Sequence, residues 1–176
     1  MRTIAIVMDT STLLRCFSLL LSNKTLTSTG ETESLYTPES VIKEVKKTTS
    51  KTLLMAISSR ITVIAPNIST VKNVEEKALK FGVFRRLSRT DIDVIALAVD
   101  LSHRYEKVYI ASEDYTIQNL GMHLGFEILA IGRKIRYIIS NSKKCKNCGF
   151  EYSYDMERCP QCSSTEYIKV VKKRKI

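Results

Sequence analysis

Short apolar runs alternate along this chain with longer stretches whose apolar positions recur every three to four residues. The first run, Ile4-Ala5-Ile6-Val7-Met8, is continuous and rich in β-branched residues, and it stops at Asp9. That pattern predicts a buried parallel strand. Asp9-Thr10-Ser11-Thr12 then offers helix caps, and residues 13–21 continue as an apolar helix. Residues 22–34 are polar and Ser/Thr-rich and read as a loop. Tyr36-Thr37-Pro38-Glu39 opens a helix, with Thr37 as cap and Pro38 in the first turn, and the helix carries Val41, Ile42, Glu44 and Val45. Residues 61–65 form a second strand closed by Pro66. Helical spacing returns over 69–82. It returns again after Ser88-Arg89-Thr90-Asp91, a capping-box pattern with Asp in the Glu/Gln position. Val108–Ala111 and residues 126–131 are the third and fourth strands, with a helix over 114–124 between them. Strands alternating with helices predict an α/β fold, a parallel sheet flanked by helices, whose sites lie at the carboxyl ends of the strands.

Composition adds an asymmetry. The 176 residues carry a formal net charge of +10, with 44% hydrophobic and 26% charged residues. Residues 1–132 hold 16 Lys+Arg and 14 Asp+Glu, a net of +2, whereas residues 133–176 hold 12 and 4, a net of +8. A nearly neutral body with a basic end predicts a polyanionic partner, and nucleic acid fits better than a membrane surface, because no amphipathic anchor or lipidation signal is visible. No run reaches the roughly 20 apolar residues of a membrane span, and a cytoplasmic location is expected. The pattern divides the chain into an α/β unit at 1–132, a basic linker at 133–142, a cysteine module at 143–168 and a basic tail at 169–176.

Four acids stand at chemically suggestive places. Asp9 ends the first strand and Asp114 follows the third. Glu44 and Asp91 interrupt helical stripes that otherwise face the core. Converging carboxylates repel one another unless a cation lies among them, and an all-oxygen site suits Mg²⁺ or Mn²⁺, which can acidify water and stabilise charge on a phosphate. The plainer reading stands beside this one: Asp9 and Asp114 as helix caps, Asp91 as a capping-box acid, Glu44 reaching solvent.

The acids also sit in motifs. Val7-Met-Asp9-Thr-Ser-Thr-Leu-Leu, Pro38-Glu-Ser-Val-Ile-Lys-Glu44-Val, Leu87-Ser-Arg-Thr-Asp91-Ile-Asp93-Val-Ile-Ala-Leu-Ala and Ala111-Ser-Glu-Asp114-Tyr-Thr-Ile-Gln-Asn-Leu together resemble the four motifs of PIN-domain nucleases, in that family's order. The resemblance implies a PIN-like sheet and a catalytic metal site of Asp9, Glu44, Asp91 and Asp114. Asp93 is a secondary candidate whose helical position points about 200° from that of Asp91. Glu113 is another, as a fifth acid near the metal or a harmless substitution.

Cys145-Lys-Asn-Cys148 and Cys159-Pro-Gln-Cys162 are two knuckles that supply four thiolates, the donor set of a closed structural Zn²⁺ site. Disulfides or a redox pair fit less well, since neither pair opens a helix after a buried strand. Cys16, inside the apolar helix, reads as core. Lys143, Lys144, Lys146, Lys172, Lys173, Arg174 and Lys175 are candidate RNA contacts, with solvation and compensation of the thiolate charge as the alternative. Tyr152, Tyr154 and Tyr167 either stack on bases or fill the module's core. His103 and His123 read as non-functional, and no Gly-rich phosphate loop is present.

A PIN-like unit followed by a zinc ribbon resembles the compact archaeal form of the Nob group of ribosome-biogenesis endonucleases. That resemblance implies cleavage of single-stranded RNA that matures the 3′ end of small-subunit ribosomal RNA, with pre-rRNA in the subunit precursor as partner and room for assembly proteins. Two alternatives remain open: a toxin-type PIN ribonuclease, although such toxins usually lack a ribbon, and a non-catalytic RNA-binding assembly factor, although all four acids are present. A receiver-like signalling domain would need a pair of acids after the first strand, which Met8-Asp9 lacks.

Overall fold

A computed structural model describes residues 3–22, 24–27, 31–48, 55–56, 58–130 and 134–176. Ile131, at the end of the expected fourth strand, Arg133, at the start of the expected linker, and residues 23 and 28–30 of the expected loop lie outside the described residues.

A five-stranded parallel sheet runs in the order β3-β2-β1-β4-β5. Its strands are β1 (Thr3–Met8), β2 (Thr32–Thr37), β3 (Ile61–Val63), β4 (Val108–Ala111) and β5 (Glu127–Leu129). Six helices accompany it among the described residues: α1 (Thr10–Arg15), α2 (Phe17–Leu21), α3 (Glu39–Thr48), α4 (Ile68–Lys80), α5 (Arg89–Ser102) and α6 (Tyr115–His123), with a 3-10 turn at Phe84–Arg86. β1 is central, so Ala5, Ile6, Val7 and Met8 are fully buried. Covering each such aliphatic side chain stabilises the fold by roughly 1.5–3 kcal/mol. None of these helices is long and apolar enough to cross a membrane.

Three expectations change. Residues 32–37, read as the end of a loop and a helix cap, form β2, which pairs with β1 from Thr3↔Thr32 to Val7↔Tyr36. Its sequence is polar, but its polar groups find partners. Glu33 accepts the amides of Leu26 and Thr27 at 2.8 and 2.6 Å, and Tyr36 meets the Tyr105 hydroxyl at 2.6 Å. Thr37 does not cap a helix; its hydroxyl donates to the Met8 carbonyl at 3.0 Å. The apolar helix over 13–21 is broken at Cys16, whose amide closes α1 on the Thr12 carbonyl.

The largest change lies at the C-terminal end. Two nine-residue strands, β6 (Tyr137–Cys145) and β8 (Tyr167–Lys175), join the expected basic linker and tail to the cysteine module and pair antiparallel along their whole length, with the short β7 (Glu151–Ser153) on the other edge of β6. This sheet packs on the α/β unit through specific bonds. The Asn119 amide donates to the Ile139 carbonyl at 2.8 Å and its oxygen accepts the Ile139 N–H at 2.7 Å. The Asn141 N–H donates to the Phe81 carbonyl at 3.0 Å, Phe84 N–H donates to Asp155 Oδ2 at 2.9 Å, and the Ser153 hydroxyl donates to the Leu79 carbonyl. Gly82 makes this approach possible: its φ is +65°, and a Cβ there would stand 2.2 Å from the Asn141 carbonyl oxygen.

Candidate active site and cysteine cluster

β1 and β4 are neighbours in register Met8↔Ala111, so the residues that follow them emerge side by side at the carboxyl edge. Ser112, fully buried, joins the two acids there. Its hydroxyl donates to Asp9 Oδ2 at 2.6 Å and accepts the Asp114 N–H at 3.0 Å. Sequence reasoning passed over Ser112, although a small hydroxyl residue just past a buried strand beside Asp9 was a usable signal. Asp9 is itself buried, its Oδ1 taking the Thr12 N–H at 2.7 Å and Ser11 reaching both oxygens. Glu44 on α3 joins the same end of the sheet, accepting the hydroxyl of Thr10, the residue after Asp9, at 2.6 Å.

Asp91 approaches from α5. Burial raises its carboxyl above the usual aspartate range against the Ser88 hydrogen bonds, and the charges of Asp114 and Asp9 push it the same way. Among described residues, none of the four acids forms an ion pair with Lys or Arg.

Capping geometry is present as well. Asp9 caps α1 and Asp114 caps α6, while Ser88 and Asp91 complete a capping box on α5. Capping and cation binding are compatible here. Asp114 uses Oδ1 for both the Thr116 and Ile117 amides, and Asp91 uses Oδ2 for the Ser88 amide. In each case the other oxygen has no hydrogen bond to a described residue.

The two secondary candidates each hold an arginine. Asp93 pairs with Arg89 at 3.1 Å, and Arg89 also holds Glu75 of α4 at 3.2 Å. Glu113 pairs with Arg15 at 2.7 Å. Beneath the acids, burial and the charges of Asp9 and Glu113 push the Cys16 thiol up to about 11.

The sulfurs of Cys145, Cys148, Cys159 and Cys162 lie within 4.8 Å of one another. Two of the spacings are 3.5 and 3.6 Å, close to the roughly 3.8 Å between sulfurs that a tetrahedral ion with 2.3 Å bonds imposes. The knuckles match each other: the residues after Cys148 and Cys162, Gly149 and Ser163, both have positive φ, and their amides return to the carbonyls of Cys145 and Cys159. The Cys148 amide holds the Cys145 thiol down to about 6. Against the amide of Phe150, burial and the neighbouring sulfurs push Cys148 up to about 12. Four thiols so close cannot all ionise without a cation, and the donor set fits a thiophilic metal ion. The buried core around them is only Cys145, Tyr152 and Cys159, too little to hold a sheet unaided.

The basic residues separate. Lys143, expected among the RNA contacts, is instead buried. Its ammonium donates to the Met156 carbonyl at 2.6 Å and lies over the rings of Tyr154 and Tyr167. Tyr152 is core. Lys172 pairs with Glu151 at 2.7 Å, while Lys144, Lys146, Lys173, Arg174 and Lys175 are exposed. His123 joins the two units: its ring stacks on Phe81 with centroids 3.8 Å apart, and its Nε2 meets the Ile139 carbonyl at 3.0 Å.

A family model described as the PIN domain of ribonuclease matches residues 6–101, more than half of the chain, and the chain belongs to the PIN-domain ribonuclease family. Within that family it is similar to Endoribonuclease Nob1 of Pyrococcus abyssi, with 32% identity over 144 residues covering 79% of this chain and 84% of that protein. Endoribonuclease Nob1 of Archaeoglobus fulgidus is 32% identical over 143 residues, 81% of this chain and 84% of its own length. Ribonuclease VapC3 of Aeropyrum pernix is 37% identical over 99 residues, 55% of this chain and 71% of its own length.

Proposed function

We propose that this chain is a divalent-metal-dependent endoribonuclease that cuts single-stranded RNA, with small-subunit ribosomal RNA precursor as substrate and maturation of its 3′ end as outcome. The observation that carries the activity is the meeting of Asp9 and Asp114 through Ser112 at the carboxyl edge, with Glu44 and Asp91 alongside and no described Lys or Arg neutralising them. Mg²⁺ or Mn²⁺ bound there would supply a more acidic water and charge stabilisation at the phosphate. Asp9, Glu44, Asp91 and Asp114 would hold the ion. Ser112 bridges the Asp9 carboxylate and the Asp114 backbone, and helix amides hold both carboxyl groups in place. In this reading residues 1–132 are the nuclease unit and Cys145, Cys148, Cys159 and Cys162 bind a structural Zn²⁺.

Two lines favour the ribosomal substrate over a toxin-type role. One is the resemblance to the Nob group. The other is the extent of the similarity: 79% of 176 residues is about 139, longer than the whole nuclease unit, so the similarity to Endoribonuclease Nob1 runs into the C-terminal segment.

The test is incubation with RNA spanning the small-subunit 3′ end and with unrelated RNA, in Mn²⁺, beside an Asp9→Asn variant. One cut at the mature end, lost in the variant, is expected. Equal cutting of unrelated RNA would reject the ribosomal substrate. Undiminished cutting by Asp9→Asn would reject the acid site.

A further inference from the structure

A cleft of ≈ 320 Å³ opens where α6 meets the C-terminal sheet. Both units build it: Arg86 from the 3-10 turn, Tyr115 from the first turn of α6, Tyr137 from β6 and Lys169 from β8. It continues into a second hollow of ≈ 540 Å³ that shares Tyr115 and Tyr137 and adds Lys134 and Arg136. No described Asp or Glu lines either one.

Three features of this cleft point to one ligand chemistry. First, its aromatic rings are unused. Tyr115 is 57% and Tyr137 48% exposed, and neither stacks on another described ring. Second, the charge in its walls is all positive. Third, its wall is tied to the strand end that carries the acids. Tyr115 directly follows Asp114, and the Gln118 side chain donates to the Ser112 carbonyl at 3.0 Å while accepting the Ile135 N–H at 3.0 Å, so one buried residue ties the strand end to the cleft wall. Flat rings beside cations suit a polymer of bases and phosphates, because every base has a face to stack and every linkage a charge to meet.

We infer that this cleft holds a base of the RNA substrate flanking the bond that is cut. The base stacks on Tyr115 and Tyr137, and Arg86 and Lys169 meet the adjoining phosphates. The site rests on the endoribonuclease reading above and extends it, since it makes the C-terminal sheet part of the substrate path at the acid centre. Neither unit alone would contain it.

The test separates the two. Binding of a short single-stranded RNA is measured with full-length Asp9→Asn protein, and abasic nucleotides are scanned along the RNA. One abasic position next to the cleaved bond should lower affinity about 10-fold, the scale of a lost base–aromatic stack. In an added Tyr137→Ala change the same position should cease to matter, and Tyr137→Phe should restore its effect. A structural role for Tyr137 would weaken binding at every position equally. Arg86→Ala should flatten the salt dependence of binding.

Affinity within twofold of the parent in Tyr137→Ala and Arg86→Ala, with cleavage by the unsubstituted protein intact, would overturn the cleft and leave it to a protein partner. Absence of RNA binding would overturn it too. Position-specific stacking without cleavage by the unsubstituted protein would support the cleft and count against the hydrolytic reading alone.

Discussion

Asn119 serves Ile139 as a neighbouring strand would, donating to its carbonyl at 2.8 Å and accepting its N–H at 2.7 Å, although Asn119 lies in the middle of a helix. Asn119 is buried, so Asn119→Ala leaves the Ile139 N–H without this partner and its carbonyl to His123 alone. A loss of about 1–3 kcal/mol is expected, read by urea unfolding, with faster hydrogen exchange at the Ile139 amide. Retained protection of that amide would mean that another group seals the seam.

Gly82 offers a sharper probe of the same contact. Its φ of +65° and the 2.2 Å approach that a Cβ would make to the Asn141 oxygen act together. Gly82→Ala should destabilise the protein by about 2 kcal/mol or more. Gly125→Ala, where φ is +89° but nothing lies within 4 Å, should cost less. Equal losses in melting experiments would show that backbone strain, not the docked sheet, sets the cost.

The seam should also respond to pH through His123. Burial holds its imidazole below the ordinary histidine value, and the charge of Arg174 acts in the same direction, against the hydrogen bond to the Ile139 carbonyl. The unfolded chain therefore takes up a proton at higher pH than the folded one. The stability that a neutral His123 contributes is present above about pH 6.5 and is lost as pH falls through the depressed folded value. His123→Gln, which keeps a donor but does not titrate, should flatten the dependence of melting temperature on pH between about 7 and 5. An unchanged slope would assign that dependence to other groups.

Removal of metal should divide the molecule. A strong chelator is expected to melt β6, β7 and β8 and expose four thiols, because their own buried core is so small. Cys16 should stay unreactive, buried and with its thiol pushed up to about 11. A thiol reagent then counts four groups, and the parallel sheet persists by circular dichroism. A count of five would mean that the nuclease unit needs the docked sheet to stay folded.

What the sequence disclosed follows from where burial leaves a mark. β1 is covered on both faces and reads as an unbroken apolar run. The cysteine knuckles read from spacing alone. β2 was hidden because Glu33, Tyr36 and Thr37 are polar residues whose partners lie elsewhere in the fold. β8 was hidden for another reason: almost none of it is buried, and backbone bonds to β6 hold it, so its lysines and valines carry no periodic signal. Asp9 and Asp114 were legible as strand-end acids. The bridge from Arg89 to Glu75 was not, because it depends on how α4 lies against α5.

The bond from Ser112 to Asp9 spans 103 residues of chain. Closing so long a loop carries an entropic cost that the rest of the sheet offsets. A fragment that stops short of β4 carries Asp9, Glu44 and Asp91 but lacks Ser112 and Asp114. On the proposed acid site, cutting power would arrive only with the finished sheet, and a nascent or partly unfolded chain would be a harmless one amid the cell's RNA.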